Sequence, residues 1–199
     1  MEEILTYLKD KYNPLGIIVY GSYADGSNNE NSDFDVLVIT KDGDKSHDDS
    51  VVCGIVLDAF ICPHNSISSD DFLHIYGGRI VLDTDEVAAK LMEDVASGVI
   101  NFTAKRYDEN CMSVAWCEKM LLRIKRGDSE GYFRLHWLLT ESLEIYCDVI
   151  GKRYLGPKKS IKQMQTEDAE SAKLYEKALM TSDYQAICEW ISHIRKLLK

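Results

Sequence analysis

The sequence predicts an α+β protein in which a mixed sheet flanked by helices precedes an all-helical region. Three observations carry this expectation. Apolar, strand-like runs at 15–20, 34–40 and 51–62 are separated by segments rich in Gly, Asn, Asp and Ser. From Thr84 onward the apolar period changes to that of helices. The charge is also uneven: residues 1–100 hold 6 Lys/Arg against 19 Asp/Glu, and residues 101–199 hold 17 against 14.

Taken in order, residues 2–11 form an amphipathic helix with Ile4, Leu5 and Leu8 on one face, ended by Asn13-Pro14. Strands follow at Leu15–Tyr20, Phe34–Thr40 and Val51–Cys62. The connection from Lys41 to Ser50 is charged and hairpin-like, with Asp42-Gly43 at its turn. Asp70–Tyr76 is a helix broken by Gly77-Gly78, and Arg79–Leu82 is a fourth short strand. Thr84 caps a helix through Ala96 that Gly98 closes. Helices at about 101–126, 129–150, 168–181 and 183–198 complete the chain, so residues 1–100 and 101–199 are read as two domains.

A chain of 199 residues, 45% of them apolar, can bury an ordinary core. No apolar run reaches the roughly 18 residues that cross a bilayer. The start Met-Glu-Glu-Ile-Leu lacks the basic and apolar pattern of a secretion signal, so a cytoplasmic protein is expected. The six cysteines are scattered without a Cys-x-x-Cys pair and read as reduced core thiols. The acidic first half repels a phosphate backbone, which argues against duplex nucleic acid as a partner.

The chemistry concentrates in Val19-Tyr20-Gly21-Ser22 and, after ten intervening residues, Asp33-Phe34-Asp35-Val36-Leu37-Val38. Gly21 permits a sharp turn after an apolar strand, and the backbone there together with the Ser22 hydroxyl suits phosphate oxygens. Asp33 and Asp35, two apart, point to one face of a strand while Phe34 and Val36 face the core. Paired carboxylates suit a hard cation such as Mg²⁺. Asp58, within the apolar run Gly54–Ile61, is expected to supply a third carboxylate from a neighbouring strand. Its position inside such a run implies a paired or metal-bound charge.

Together, Gly21-Ser22, the spacer and Asp33-Phe34-Asp35 resemble the signature of the polymerase β-type nucleotidyltransferase superfamily. The subgroup most resembled is the small two-domain one that includes aminoglycoside and lincosamide nucleotidyltransferases. The resemblance covers about residues 15–62. It implies a mixed nucleotidyltransferase sheet, a helical substrate-binding C-terminal domain and a nucleoside triphosphate in the cleft between them. It also implies Mg²⁺, two ions in all, on Asp33, Asp35 and Asp58, with Gly21 and Ser22 on the nucleotide. Many members carry Arg shortly after the Gly-Ser pair, where this chain has Ala24-Asp25-Gly26.

Two further elements are candidates. The basic stretch 152–162, a loop running into a helix start, offers Lys158 or Lys159 to the nucleotide, against a plain solvated basic loop. In the helix around 129–150, Arg134, Trp137, Glu141, Glu144 and Asp148 share one stripe. There Glu141 is the candidate general base toward an acceptor hydroxyl, against a solvent-facing stripe, and Asp58 is the alternative base. The partners expected are an NTP, with ATP first, and a small-molecule acceptor, with a homodimer as one assembly open to the chain. The competing readings are a protein-modifying, antitoxin-like transferase and a non-catalytic nucleotide-binding scaffold.

Overall fold

In the helix α1 (Glu2–Tyr12), Ile4 and Leu8 lie one turn apart and are buried, and Asn13 ends the helix in the left-handed conformation (φ 44°) just before Pro14. This opening sits within a computed structural model that describes residues 1–198. The chain divides into two compact units, Met1–Asn101 and the remainder from Phe102. No helix among the described residues is long and apolar enough to cross a membrane.

The first unit is built on a six-stranded sheet of β1 (Gly16–Val19), β2 (Phe34–Thr40), β3 (Ser46–Asp48), β4 (Val51–Val52), β5 (Ile55–Pro63) and β6 (Arg79–Asp83). The order is β3-β5-β2-β1-β6, with β4 attached to β5. Only β2 and β5 run parallel; the other pairs are antiparallel, so the sheet is mixed as expected. Alternation along β2 divides the core. Phe34, Val36 and Val38 pack with Ile4 and Leu8 on one face, while Leu37 and Ile39 pack on the other. That second face is covered by Phe72 and Ile75 of a 3-10 segment and by Ala88, Leu91 and Val95 of α3 (Val87–Ile100). The short helix α2 (Gly21–Asp25) follows β1 directly.

The second unit is a bundle of α4 (Tyr107–Ile124), α5 (Ser129–Val149), α6 (Pro157–Glu167), α7 (Ala169–Thr181) and α8 (Tyr184–Leu197). Asp128, Asp168 and Asp183 cap α5, α7 and α8, each accepting from a backbone N–H three residues on. At the centre Trp190 is fully buried and its indole N–H donates to Ser142 Oγ at 2.9 Å. The apolar stripe Leu135, Leu139, Leu143 and Tyr146 lies in this core.

Three local expectations need correction. The run 51–62 is not one strand but a hairpin, because Cys53 (φ 54°) and Gly54 (φ 80°) form a two-residue left-handed turn between β4 and β5. The start of α3 is capped by Asp83, whose two oxygens accept from Ala88 and Ala89 N–H, rather than by Thr84. Gly98 lies inside α3, where an added Cβ would come within 3.0 Å of Leu73, so it serves close packing and not termination. The basic stretch runs into a helix start as expected: α6 begins at Pro157, its ring-fixed φ suiting the first helical position after Gly156.

Candidate active site

The end of β1 delivers Tyr20, Gly21 and Ser22 beside the start of β2. Tyr20 N–H donates to the Asp35 carbonyl at 3.0 Å, which ties the turn to β2. Gly21 adopts φ +63°, and a Cβ there would lie 2.0 Å from Asp35 Oδ2. No side chain fits at this position, so the glycine is what lets the Asp35 carboxylate lie against the turn. Ser22 is half-buried in α2, its carbonyl accepting from Ser27 N–H at 3.0 Å. Asp25 Oδ1 accepts from both the N–H and the hydroxyl of Ser27, the work of a turn residue.

In the parallel pairing of β2 with β5, Asp35 stands directly opposite Asp58. The two carboxylates therefore leave the same face of the sheet from neighbouring strands, about 5 Å apart at the backbone. Tyr20 reports on both. Its phenol is held well above its ordinary pKa, chiefly by burial and then by the negative charges of Asp58 and Asp35. Asp33 precedes β2 and is exposed. Among the described residues no three His, Cys, Asp or Glu side chains are drawn into one ready-made cluster.

Asp58 departs from expectation in one respect. Its strand alternates, and the face that carries it also exposes Val56 (43%) and Phe60 (38%). The Asp58 side chain is itself 39% exposed, so the charge is not sunk in the core. The apolar run around it reflects a strand whose second face is only partly covered. Its partner is His47 of β3, with Nε2 2.6 Å from Asp58 Oδ1. Sequence reasoning missed both Tyr20 and His47; position 20 adjoins the Gly-Ser pair, whereas nothing local marks His47.

Glu141, Lys158 and Lys159 belong to the second unit. Lys158 and Lys159 occupy the first turn of α6. Glu141 lies on α5 at a cavity of 430 Å³ with Glu144, Asp148, Lys105, Trp116 and Trp137. Along this stripe Trp137, Glu141 and Glu144 are exposed and only Asp148 is buried. Asp148 is buried and pairs with Lys105 at 2.6 Å, and the two indoles meet edge to face at 5.3 Å between centroids.

Whether the site fits a divalent cation follows from its donors. Asp35 and Asp58 offer hard anionic oxygens in register on one face, and the missing Cβ at Gly21 gives the Asp35 carboxylate room to lie there. They fit.

The chain is similar to known proteins over part of its length. Residues 1–89 match the family model of the nucleotidyltransferase domain. The matched residues fall within the first unit. No curated protein matches the chain. Among solved structures, a nucleotidyltransferase-like protein from Exiguobacterium sibiricum 255-15 aligns at 17% identity and a TM-score of 0.41. That alignment covers 98% of this chain and 71% of the other.

Proposed function

We propose that the chain is a Mg²⁺-dependent nucleotidyltransferase. It would move a nucleoside monophosphate from an NTP, ATP first, to a hydroxyl of a small-molecule acceptor of aminoglycoside or lincosamide kind, releasing pyrophosphate. The observation that carries this reading is the register of Asp35 with Asp58 beside the side-chain-free Gly21.

Asp35 and Asp58, with Asp33 just before β2, would hold the metal, and Ser22 with the Gly21 turn would receive phosphate oxygens. When bound, Mg²⁺ neutralises charge on the transferred phosphoryl group and acidifies the acceptor hydroxyl. The acceptor oxygen forms a bond to the α-phosphorus as the bond to the bridging oxygen of the leaving pyrophosphate breaks. The hydroxyl proton passes to a carboxylate, Glu141 or Asp58. Lys158 and Lys159 are assigned to the nucleotide phosphates. The cavity holding Glu141 supports a small acceptor. Its volume falls within the range of small-molecule pockets, and its indoles and carboxylates suit a ring-bearing, amine-rich molecule.

The test is pyrophosphate release from NTP and Mg²⁺ with candidate acceptors. Asp35→Asn and Asp58→Asn should each lower turnover at least 100-fold while retaining the wild-type circular dichroism spectrum. Unchanged turnover in either variant removes the assignment. Labelled ATP added with cell lysate separates the acceptors: label in small molecules supports the proposal, and label in protein supports the protein-modifying reading.

A further inference from the structure

We infer that His47 is a positioning residue that fixes the Asp58 carboxylate for cation binding, and that the buried Asp48 cluster exists to hold His47 there. The inference rests on the metal-site reading above and extends it to residues outside the motif.

An ionised carboxylate only accepts hydrogen bonds, so the His47 Nε2 bonded to Asp58 Oδ1 carries the proton. Among the described residues the Asp58 carboxylate makes this one side-chain hydrogen bond, which leaves its second oxygen available to a ligand. The imidazole also packs edge-on against Phe60 at 4.9 Å between centroids, and Phe60 is its cross-strand partner. Two contacts therefore set the ring. One oxygen held and the other open is how a neighbouring donor orients a coordinating carboxylate.

The strand that carries His47 needs support, because β3 is three residues long and lies at the sheet edge. The next residue supplies it. Asp48, on the opposite face, is buried and accepts from the hydroxyls of Tyr7 (3.0 Å) and Tyr12 (2.7 Å), with Lys11 Nζ at 3.0 Å. Both tyrosines and the lysine come from α1. Side chains alternate along a strand, so pinning residue 48 to α1 turns residue 47 toward Asp58.

The experiment titrates Mn²⁺ alone into the full chain by calorimetry for wild type, His47→Ala and His47→Gln, with melting temperatures measured in parallel. His47→Ala is expected to weaken Mn²⁺ binding 10- to 100-fold with little change in melting. In His47→Gln the side-chain amide can still donate, and affinity should return to within about threefold of wild type, as hydrogen-bond geometry requires. Equal or tighter binding by His47→Ala overturns the role of His47 while sparing the metal site. So does failure of His47→Gln to recover affinity. Absence of Mn²⁺ binding by the wild type overturns both the inference and the metal-site reading.

Discussion

Gly21 is a position where one methyl group decides the site. The residue is held at φ +63°, which costs a non-glycine residue on the order of 1–3 kcal/mol. A Cβ would also collide with Asp35 Oδ2. Gly21→Ala is therefore expected to lower stability by about that amount in urea titration. Pyrophosphate release should fall further than stability does, because the displaced atom belongs to a proposed metal ligand. Retention of full turnover would separate Gly21 from the Asp35 carboxylate. At this scale the sequence was informative: turn, glycine, serine and aspartate pair are all contiguous or nearly so. His47 was not legible, because its meaning depends on β3 lying beside β5, a pairing that spans 11 residues and a turn.

Among the elements, β3 shows how an edge strand with a polar sequence can persist. Its Ser-His-Asp stretch has no strand propensity to speak of and in sequence is part of a charged connection. Burial raises the Asp48 pKa, but hydrogen bonds from Ser50, Tyr12 and Lys11 outweigh it, and the carboxyl titrates well below its ordinary range. With a folded pKa below the unfolded value of about 3.9, the unfolded chain binds more protons as the solution is acidified. The contribution to stability is complete above about pH 5 and is lost as pH falls toward the folded pKa. Asp48→Asn should cost about 1.5–3 kcal/mol at neutral pH, the range for hydrogen bonds to a charged group. The gap between wild type and variant in urea titration should narrow steadily below about pH 4. A gap that is constant from pH 7 to pH 3 would show that the charge of Asp48 is not what matters. The α3 cap teaches the same point. Thr84 and Asp83 are both capping residue types, and only the fold shows that Asp83 is the one aimed at the Ala88 and Ala89 amides.

For the whole molecule, the division into a sheet unit and a helical unit follows from the change of apolar period and the matching change of charge. In the helical unit Trp190 is the largest fully buried side chain and also satisfies Ser142. Trp190→Ala is expected to destabilise the chain by about 3–5 kcal/mol, a large cavity in a packed core. A shift below about 1 kcal/mol in denaturant titration would contradict the packing. The charge excess of the first hundred residues leads to a further expectation. At low salt the chain should not retard a short DNA duplex, since no counterion release favours that complex; a salt-sensitive shift in a gel would count against it.

The sequence by itself determined the fold class, the order of most of its longer elements and the Gly21-Ser22, Asp33 and Asp35 spacing. Each of these is written in local period or short spacing. The tertiary structure decided what contact across the chain must decide: that Asp58 stands opposite Asp35, that its face is partly open, that His47 holds it, and that Glu141 borders a cavity. Those facts arise from strand register and helix packing, where residues far apart in sequence become neighbours, and no local pattern of side chains encodes which neighbour each will meet.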